Sequence, residues 1–303
     1  MRVLVTGAGG QLGRDLVAAF ADHDVTGVTR AELDVGDEAA VAAAVAATDP
    51  ALVVNAGAWT DVDGCEADPD RAHAVNALGP WWLARACART GATLVHLSTD
   101  YVFGGPPGPV APVDGSGARR AWTEFDPVAP VNVYGRSKAA GEELVRRTLP
   151  THHVVRTAWL YGAAGHNFVR TMLRLGHEGR PVRVVDDQVG SPTATPDLAA
   201  AIRELAVSGR FGTWHRTNRG SCSWFELAQA VFALADLDVD LAAQPSSALE
   251  RPAPRPSWSV LDDRHATLAG LTPLPPWREA LTRVLDSLGE LRRPGTAAGG
   301  TRP

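Results

Sequence analysis

The stretch Val3-Leu4-Val5-Thr6-Gly7-Ala8-Gly9-Gly10-Gln11-Leu12-Gly13 runs from an apolar strand segment through a glycine turn into a helix. Glycines at 7, 10 and 13 stand where such a turn needs a tight bend, a close approach to phosphate and close helix packing. The first amides of that helix would face the phosphates of a dinucleotide. The same glycines also suit a turn that binds nothing, so the surrounding chain must arbitrate.

Working outward, strand-like runs recur at residues 25–29, 51–55, 93–98 and 154–157. They alternate with alanine-rich helical stretches at residues 37–48 and 70–90, the second closed by Gly91. Alternation of this kind implies an α/β fold, a Rossmann-like doubly wound parallel sheet. After Tyr161 the pattern changes to longer helical stretches at residues 168–178 and 224–235 with proline-rich connections. We therefore expect an NAD(P)-binding domain over residues 1–160, then a smaller, mixed α/β substrate lobe over 161–288 with some segments returning to the sheet. Residues 289–303 read as a disordered tail, and residues 104–121, dense in Gly and Pro, as a long surface loop.

Composition excludes several classes. A chain of 303 residues, 45% hydrophobic and 21% charged, can bury a large core and is neither a disulfide-stapled miniprotein nor a disordered segment. With 29 basic against 34 acidic residues the formal charge is -5, so no positive field exists to draw nucleic acid. Three cysteines at wide spacing support neither a disulfide framework nor a zinc cluster and suit a reducing compartment. The first residues lack the features of a signal peptide, and no run reaches 18 apolar residues. The expectation is a cytoplasmic protein without membrane contact.

The chemistry-bearing residues follow from the same frame. Tyr134 and Lys138 are four apart in Tyr134-Gly135-Arg136-Ser137-Lys138, hence on one face of a helix. A hydride delivered to a carbonyl leaves an alkoxide, which a phenol can protonate; Lys138 and an oxidised nicotinamide are expected to lower the phenol's pKa from about 10. Thr99 ends the preceding strand, where its hydroxyl can donate to the carbonyl oxygen or simply satisfy a strand end. After the second strand comes Arg30, a residue suited to a 2′-phosphate, which favours NADPH with NADH as the alternative. Asp34 and Val35 would edge the adenine, and Ala56, Gly57 and Ala58 leave room for a ribose and diphosphate. Asn55 is either a ligand or a turn residue.

Together these residues resemble the dTDP-4-dehydrorhamnose reductases of the extended short-chain dehydrogenase/reductase superfamily, from Met1 to about Leu288. The resemblance rests on the glycine opening, Val54-Asn55-Ala56, Trp59 to Asp63 with Glu66, Ser98 to Phe103, Pro130 to Gly135, Ala139 to Glu142, Arg156 to Trp159, Asn167-Phe168, Asp187 to Thr193 and Arg255-Pro256. It implies reduction of the C4 ketone of a dTDP-4-keto-6-deoxy sugar, dTDP-4-dehydro-L-rhamnose, to dTDP-L-rhamnose. It further implies Thr99, Tyr134 and Lys138 as the catalytic triad, Lys138 also contacting the nicotinamide ribose. Gly7, Gly10, Gln11, Leu12 and Gly13 would form the pyrophosphate loop, with Asp34, Val35, Ala56, Gly57 and Ala58 near the adenosine. On the sugar side stand Val62, Asp100, Tyr101 and Trp159, with Arg255 beside the diphosphate; Trp159 could equally be a core aromatic.

The chain departs from that pattern in the length of the 104–121 loop and in Trp258, where a small polar residue is usual. Some relatives dimerise through magnesium held on glutamates; Asp15 and Pro196-Asp197 stand there, so Mg2+ is not expected, and the protein reads as a monomer or homodimer. Asp100 is followed by Tyr101 rather than Glu, which favours simple reduction over elimination. Two alternatives stay open: a reductase of another dTDP-4-keto sugar, from a deoxysugar or streptose-type antibiotic pathway, and a non-catalytic nucleotide-binding regulatory subunit. Lesser features are read structurally: Asp61 to Asp70 lacks the spacing of a calcium loop, His152-His153 reads as a surface turn, and Trp81-Trp82 as packing.

Overall fold

The computed structural model describes residues 1–105 and 111–292; part of the 104–121 loop and the tail from residue 293 lie outside the described residues. The first half alternates as expected. Strand β1 (Arg2–Thr6) leads to helix α1 (Gln11–Ala19), β2 (Asp24–Val28) to α2 (Glu38–Thr48), and β3 (Leu52–Asn55) through shorter turns to α3 (Gly79–Thr90). Strand β4 (Thr93–Thr99) precedes α4 (Val133–Thr148), which hands on to β5 (His152–Thr157). Then come α5 (Phe168–His177), α6 (Thr195–Ala206), β6 (Gly212–His215), α7 (Trp224–Ala235) and α8 (Trp277–Ser287).

The six strands form one parallel sheet in the order β6-β5-β4-β3-β1-β2, so the direction of winding reverses between β1 and β3. Successive side chains of a strand point to opposite faces, and β1 uses both. Val3 and Val5 pack with Leu16, Leu198 and Ile202 beneath α1 and α6, whereas Leu4 packs with Val41, Val45 and Leu83 beneath α2 and α3. Helices cover both faces, which is why the strands are apolar throughout. The return of β6 to the sheet edge, and of α6 onto α1, comes from the second half of the chain.

Local signals explain most boundaries. Asp37 caps α2 by accepting from the Ala40 amide at 3.0 Å, and Gly91, at φ +77°, ends α3. The stretch at 70–90 is not one helix. It divides into Pro69–His73, a π-helical turn Ala74–Leu78, and α3, with Pro80 in its first turn. Proline offers no N–H there, and the widened turn lets the Asn76 amide clasp the backbone of Trp59 from both sides, each at 2.9 Å.

Helices α5, α7 and α8 enclose a second core containing Val169, Met172, Leu227, Val231 and Leu281. A parallel pair of strands, Val182–Val185 and Leu241–Gln244, flanks it. Helix α7 opens on a reciprocal cap between Ser223 and Glu226.

Two expectations need correction. His152 and His153 are not a surface turn: they begin β5 and are 8% and 0% exposed, because this strand is paired on both sides. Nor does the tail begin at residue 289. Glu290 accepts from His177 Nε2 at 2.8 Å, and Arg292 pairs with Asp236 at 2.9 Å, which ties residues 289–292 to the carboxyl-terminal lobe. Within the long loop, Val113 bridges Arg119, and Trp258 anchors the segment by donating from its indole to the Arg120 carbonyl at 2.8 Å. The loop length and Trp258 are thus one structural feature. Among the described residues all three cysteines are free and buried, and no helix is long and apolar enough to cross a membrane.

Candidate active site

The reversal of strand order places a crevice at the carboxyl ends of β1 and β3, the usual ligand position of such sheets. Gly7 adopts φ +69° there, and a Cβ on it would lie 2.8 Å from the Ala56 carbonyl carbon. A Cβ on Gly13 would stand 2.1 Å from the Gly7 oxygen, so the turn and α1 meet only because that atom is missing. Gly10 starts α1, whose first amides have no side-chain cap. Free N–H groups at a helix start form an anion cradle.

Beside the turn opens a cavity of ≈ 280 Å³, lined by Gly7, Gly10, Arg30, Asp34, Val35, Ala56, Gly57 and Ala58, together with Gly9, Thr29, Leu33, Trp59 and Val75. Shape and cradle fit a dinucleotide. Gln11, Leu12 and Gly13 are not in its lining: Leu12 is buried in the core and Gln11 Nε2 donates to the Leu160 carbonyl at 3.3 Å. Gln11 Oε1 is buried without a partner among the described residues. Arg30 stands exposed at the rim, 3.9 Å from Asp34. Asn55 is a brace: it accepts from Thr6 at 2.7 Å and from the Gly57 amide at 3.1 Å. Trp59 was not singled out from the sequence as a cofactor neighbour; the clasp by Asn76, distant in sequence, puts it there.

At the end of β4, Thr99, Asp100 and Tyr101 meet the first turns of α4, which carry Tyr134 and Lys138. Asn132 caps α4 on the Gly135 amide at 2.7 Å and reaches the Pro254 carbonyl at 2.8 Å, tying the helix start to the second half of the chain. Lys138, 2% exposed, donates to the Leu97 carbonyl at 2.6 Å; burial lowers its pKa to about 8, with Glu142 opposing. Burial likewise raises the Tyr134 phenol above its ordinary value, against the pull of a hydrogen bond with Thr99. Lys138 is not among the groups that act on the phenol here; desolvation raises it, and the neighbouring Asp100 and Tyr101 add to that rise. A phenol so held stays protonated near neutral pH.

Thr99 donates to Asp100 Oδ1 at 3.1 Å, and Asp100, buried with Oδ2 unpartnered among the described residues, is pushed up to about 7 by desolvation. Tyr101 meets Tyr134 edge-on with ring centroids 5.8 Å apart, and Val62 packs in the same apolar cluster.

A further cavity of ≈ 380 Å³ runs from Tyr101 and Arg255 into the carboxyl-terminal lobe, past Phe168, Met172, Arg183, Gln188, Trp224, Gln244 and Arg251. Arg255 lines it, yet its guanidinium is gripped by Asp63 at 2.6 and 2.7 Å, and the pair holds that carboxyl at about 2. Trp159 is placed by tertiary contact: at φ +48° it stacks on Trp224, centroids 3.5 Å apart, over a notch at Gly190 where a Cβ would come within 2.4 Å. Trp224, Arg183 and Arg251 were missed as site residues. Trp224 reads as an ordinary helix start, and nothing local marks the arginines. Neither of these two cavities is lined by Thr99, Tyr134 or Lys138, nor by Val62, Asp100 or Trp159, and the same is true of a larger cleft of ≈ 680 Å³ along Gly165, Arg170 and His177.

Asp197 accepts from Asn218 at 2.8 Å and pairs with Arg283 at 2.8 Å. No cluster of three or more His, Cys, Asp or Glu suited to a metal ion is found among the described residues.

Comparison with known proteins gives a family model described as RmlD substrate binding domain, matching residues 1–290. A Streptomyces griseus protein named dTDP-4-dehydrorhamnose reductase is 46% identical over 303 residues, covering 97% of this chain and 96% of that one. A Streptomyces antibioticus protein named probable dTDP-4,6-dihydroxy-2-methyloxan-3-one 4-ketoreductase is 44% identical, covering 99% of each. The crystal structure of dTDP-4-dehydrorhamnose reductase from Bacillus anthracis in complex with NADP superposes with a TM-score of 0.88 at 38% identity, over 94% of this chain and 99% of that one.

Proposed function

The chain belongs to the RmlD substrate binding domain family, and from that premise we propose that it reduces the C4 ketone of dTDP-4-dehydro-L-rhamnose to the alcohol of dTDP-L-rhamnose with NADPH. The observation that carries the reading is that Thr99, at the carboxyl end of β4, meets Tyr134 in the first turn of α4, the helix that also carries Lys138.

Reduced nicotinamide bound along the glycine turn supplies the hydride. The chain's own residues do the rest. Tyr134, neutral because it is buried, gives its phenolic proton to the oxygen that the hydride makes basic. Thr99 turns its hydroxyl from Asp100 toward that oxygen and holds it against the phenol. Lys138, anchored on Leu97, keeps a positive charge beside the phenolate that forms. Trp224, backed by Trp159, offers a flat apolar wall for a deoxyhexose, while Arg251 and Arg183 supply positive charge for a diphosphate. Arg30, at the rim of the glycine-turn cavity, offers a cation for a 2′-phosphate.

NADPH oxidation with enzymatically prepared dTDP-4-dehydro-L-rhamnose, with NMR of the product, tests the reading. Tyr134→Phe should lower kcat by about 1,000-fold while NADPH affinity stays within two-fold. Near-normal turnover in that variant, or NADPH binding without turnover, would sink it. The comparable similarity to the S. antibioticus relative favours a second reading, another dTDP-4-keto sugar as substrate. Turnover of such a sugar in preference to dTDP-4-dehydro-L-rhamnose selects it.

A further inference from the structure

Beneath the triad lies an ion pair the proton transfer does not use. Glu142 is 0% exposed and Arg156 3%. Glu142 sits one turn beyond Lys138, on the face of α4 that carries Tyr134 and Lys138. Its Oε1 accepts from Ser98 Oγ at 2.6 Å and Arg156 Nε at 2.9 Å; its Oε2 accepts from Arg156 Nη2 at 2.7 Å and Arg146 Nη1 at 3.1 Å. Ser98 immediately precedes Thr99 on β4, and Arg156 precedes Trp159 by three residues on β5. One carboxylate therefore joins the helix bearing the phenol and ammonium to the strands that deliver the hydroxyl and the aromatic wall. Desolvating two ions cancels much of their attraction, so stability alone is a poor reason for such a pair.

Resting on the reductase reading above, we propose that Glu142 is a positioning residue for the reduction: it holds Thr99 and Lys138 in register and supplies the buried negative charge that keeps the Lys138 ammonium protonated. Burial draws Lys138 down to about 8, and Glu142 is the charge that resists. The other groups packed here do not replace it. On β4, His96 is neutral, its pKa driven down by burial and by Lys138. On β6, His215 is held near 3 by burial and Arg156, whose Nη1 it meets at 3.4 Å. Arg146 on α4 and Arg156 on β5 are cations. Asp100, at the end of β4, acts on the Tyr101 and Tyr134 phenols.

A lysine required as its ammonium supports turnover below its pKa, and turnover is lost as the pH rises through it. The test is the pH profile of kcat/KM for NADPH-dependent reduction in Glu142→Gln. We expect the alkaline limb to move about one pH unit toward acid, with roughly five-fold loss at pH 8. Glu142→Asp keeps the charge and should hold the limb in place at reduced kcat. A folded Glu142→Gln with the parent's limb and kcat overturns the proposal, as does an equal shift in Glu142→Asp. If Glu142→Gln does not fold, Glu142→Asp decides alone: an unchanged kcat overturns the positioning role, and an alkaline limb moved toward acid overturns the role of the charge. Full activity in Tyr134→Phe would instead overturn the reductase reading, so the two failures are distinct.

Discussion

At the turn after β1 the backbone leaves no room for any side chain at position 13, whereas at the carboxyl-terminal wall Trp159, Trp224 and Phe168 meet through side chains that can be trimmed one by one. The first region is a contact of main chain with main chain, close to all-or-none. The second is a stack of rings on a notch, and its loss is graded. The contrast separates what every dinucleotide-binding turn of this kind must keep from what a change of sugar can alter.

The sharpest way to break this comparison is Gly13→Ala. With its Cβ 2.1 Å from the Gly7 oxygen, it should cost about 3 kcal/mol and abolish NADPH binding, read by thermal melting and nucleotide fluorescence. A variant that binds NADPH like the parent would show that the turn is not all-or-none.

A second prediction sets a buried carboxylate against a more exposed one. Glu142 and Asp63 are both held at about 2, Glu142 by Arg156, Ser98 and Arg146 against the penalty of burial, and Asp63 chiefly by hydrogen bonding to Arg255. Both pKa values are depressed, so each contribution to stability is full above the ordinary carboxylate range and is lost as pH falls toward 2. Glu142 should dominate, on the order of 2 kcal/mol, because the Asp63 side chain is 37% exposed and its pair is screened by solvent. Acid unfolding compared between Glu142→Gln and Asp63→Asn checks this; equal effects would contradict it.

On the graded side, Trp224→Ala should raise KM for the sugar nucleotide about ten-fold and leave kcat within two-fold, as loss of one aromatic stack implies. A collapse of kcat would place this wall among the all-or-none elements. Smallest of all, Arg30→Ala should raise KM for NADPH about five-fold and leave NADH unchanged, since the rim arginine is exposed. Equal loss with both nucleotides would mean that Arg30 braces the turn rather than reads a phosphate.

The residues legible from sequence are those whose role is local. Gly7 and Gly10 lie within one turn, Tyr134 and Lys138 within one helical turn, and Asp37 and Gly91 mark the ends of their own helices. The illegible ones depend on partners far along the chain. Trp224 lines the second cavity from α7, stacked on the distant Trp159, and Trp59 reaches the cofactor cavity through Asn76. The histidines at 152 and 153 looked like a turn because polarity signals exposure, and were buried because β4 and β6 pair on either side.

Alternation of strand and helix, the glycine turn and the tyrosine–lysine spacing were determined by the sequence itself, since each depends on periodicity and backbone freedom within a few residues. Tertiary structure alone decided the protonation of the site and the shape of the substrate wall. Burial raises Tyr134 and Asp100 and lowers Lys138, while Glu142 joins α4 to β5 through Arg156 and to β4 through Ser98. Desolvation and long-range pairing depend on what surrounds a group in space, which no local stretch of chain specifies.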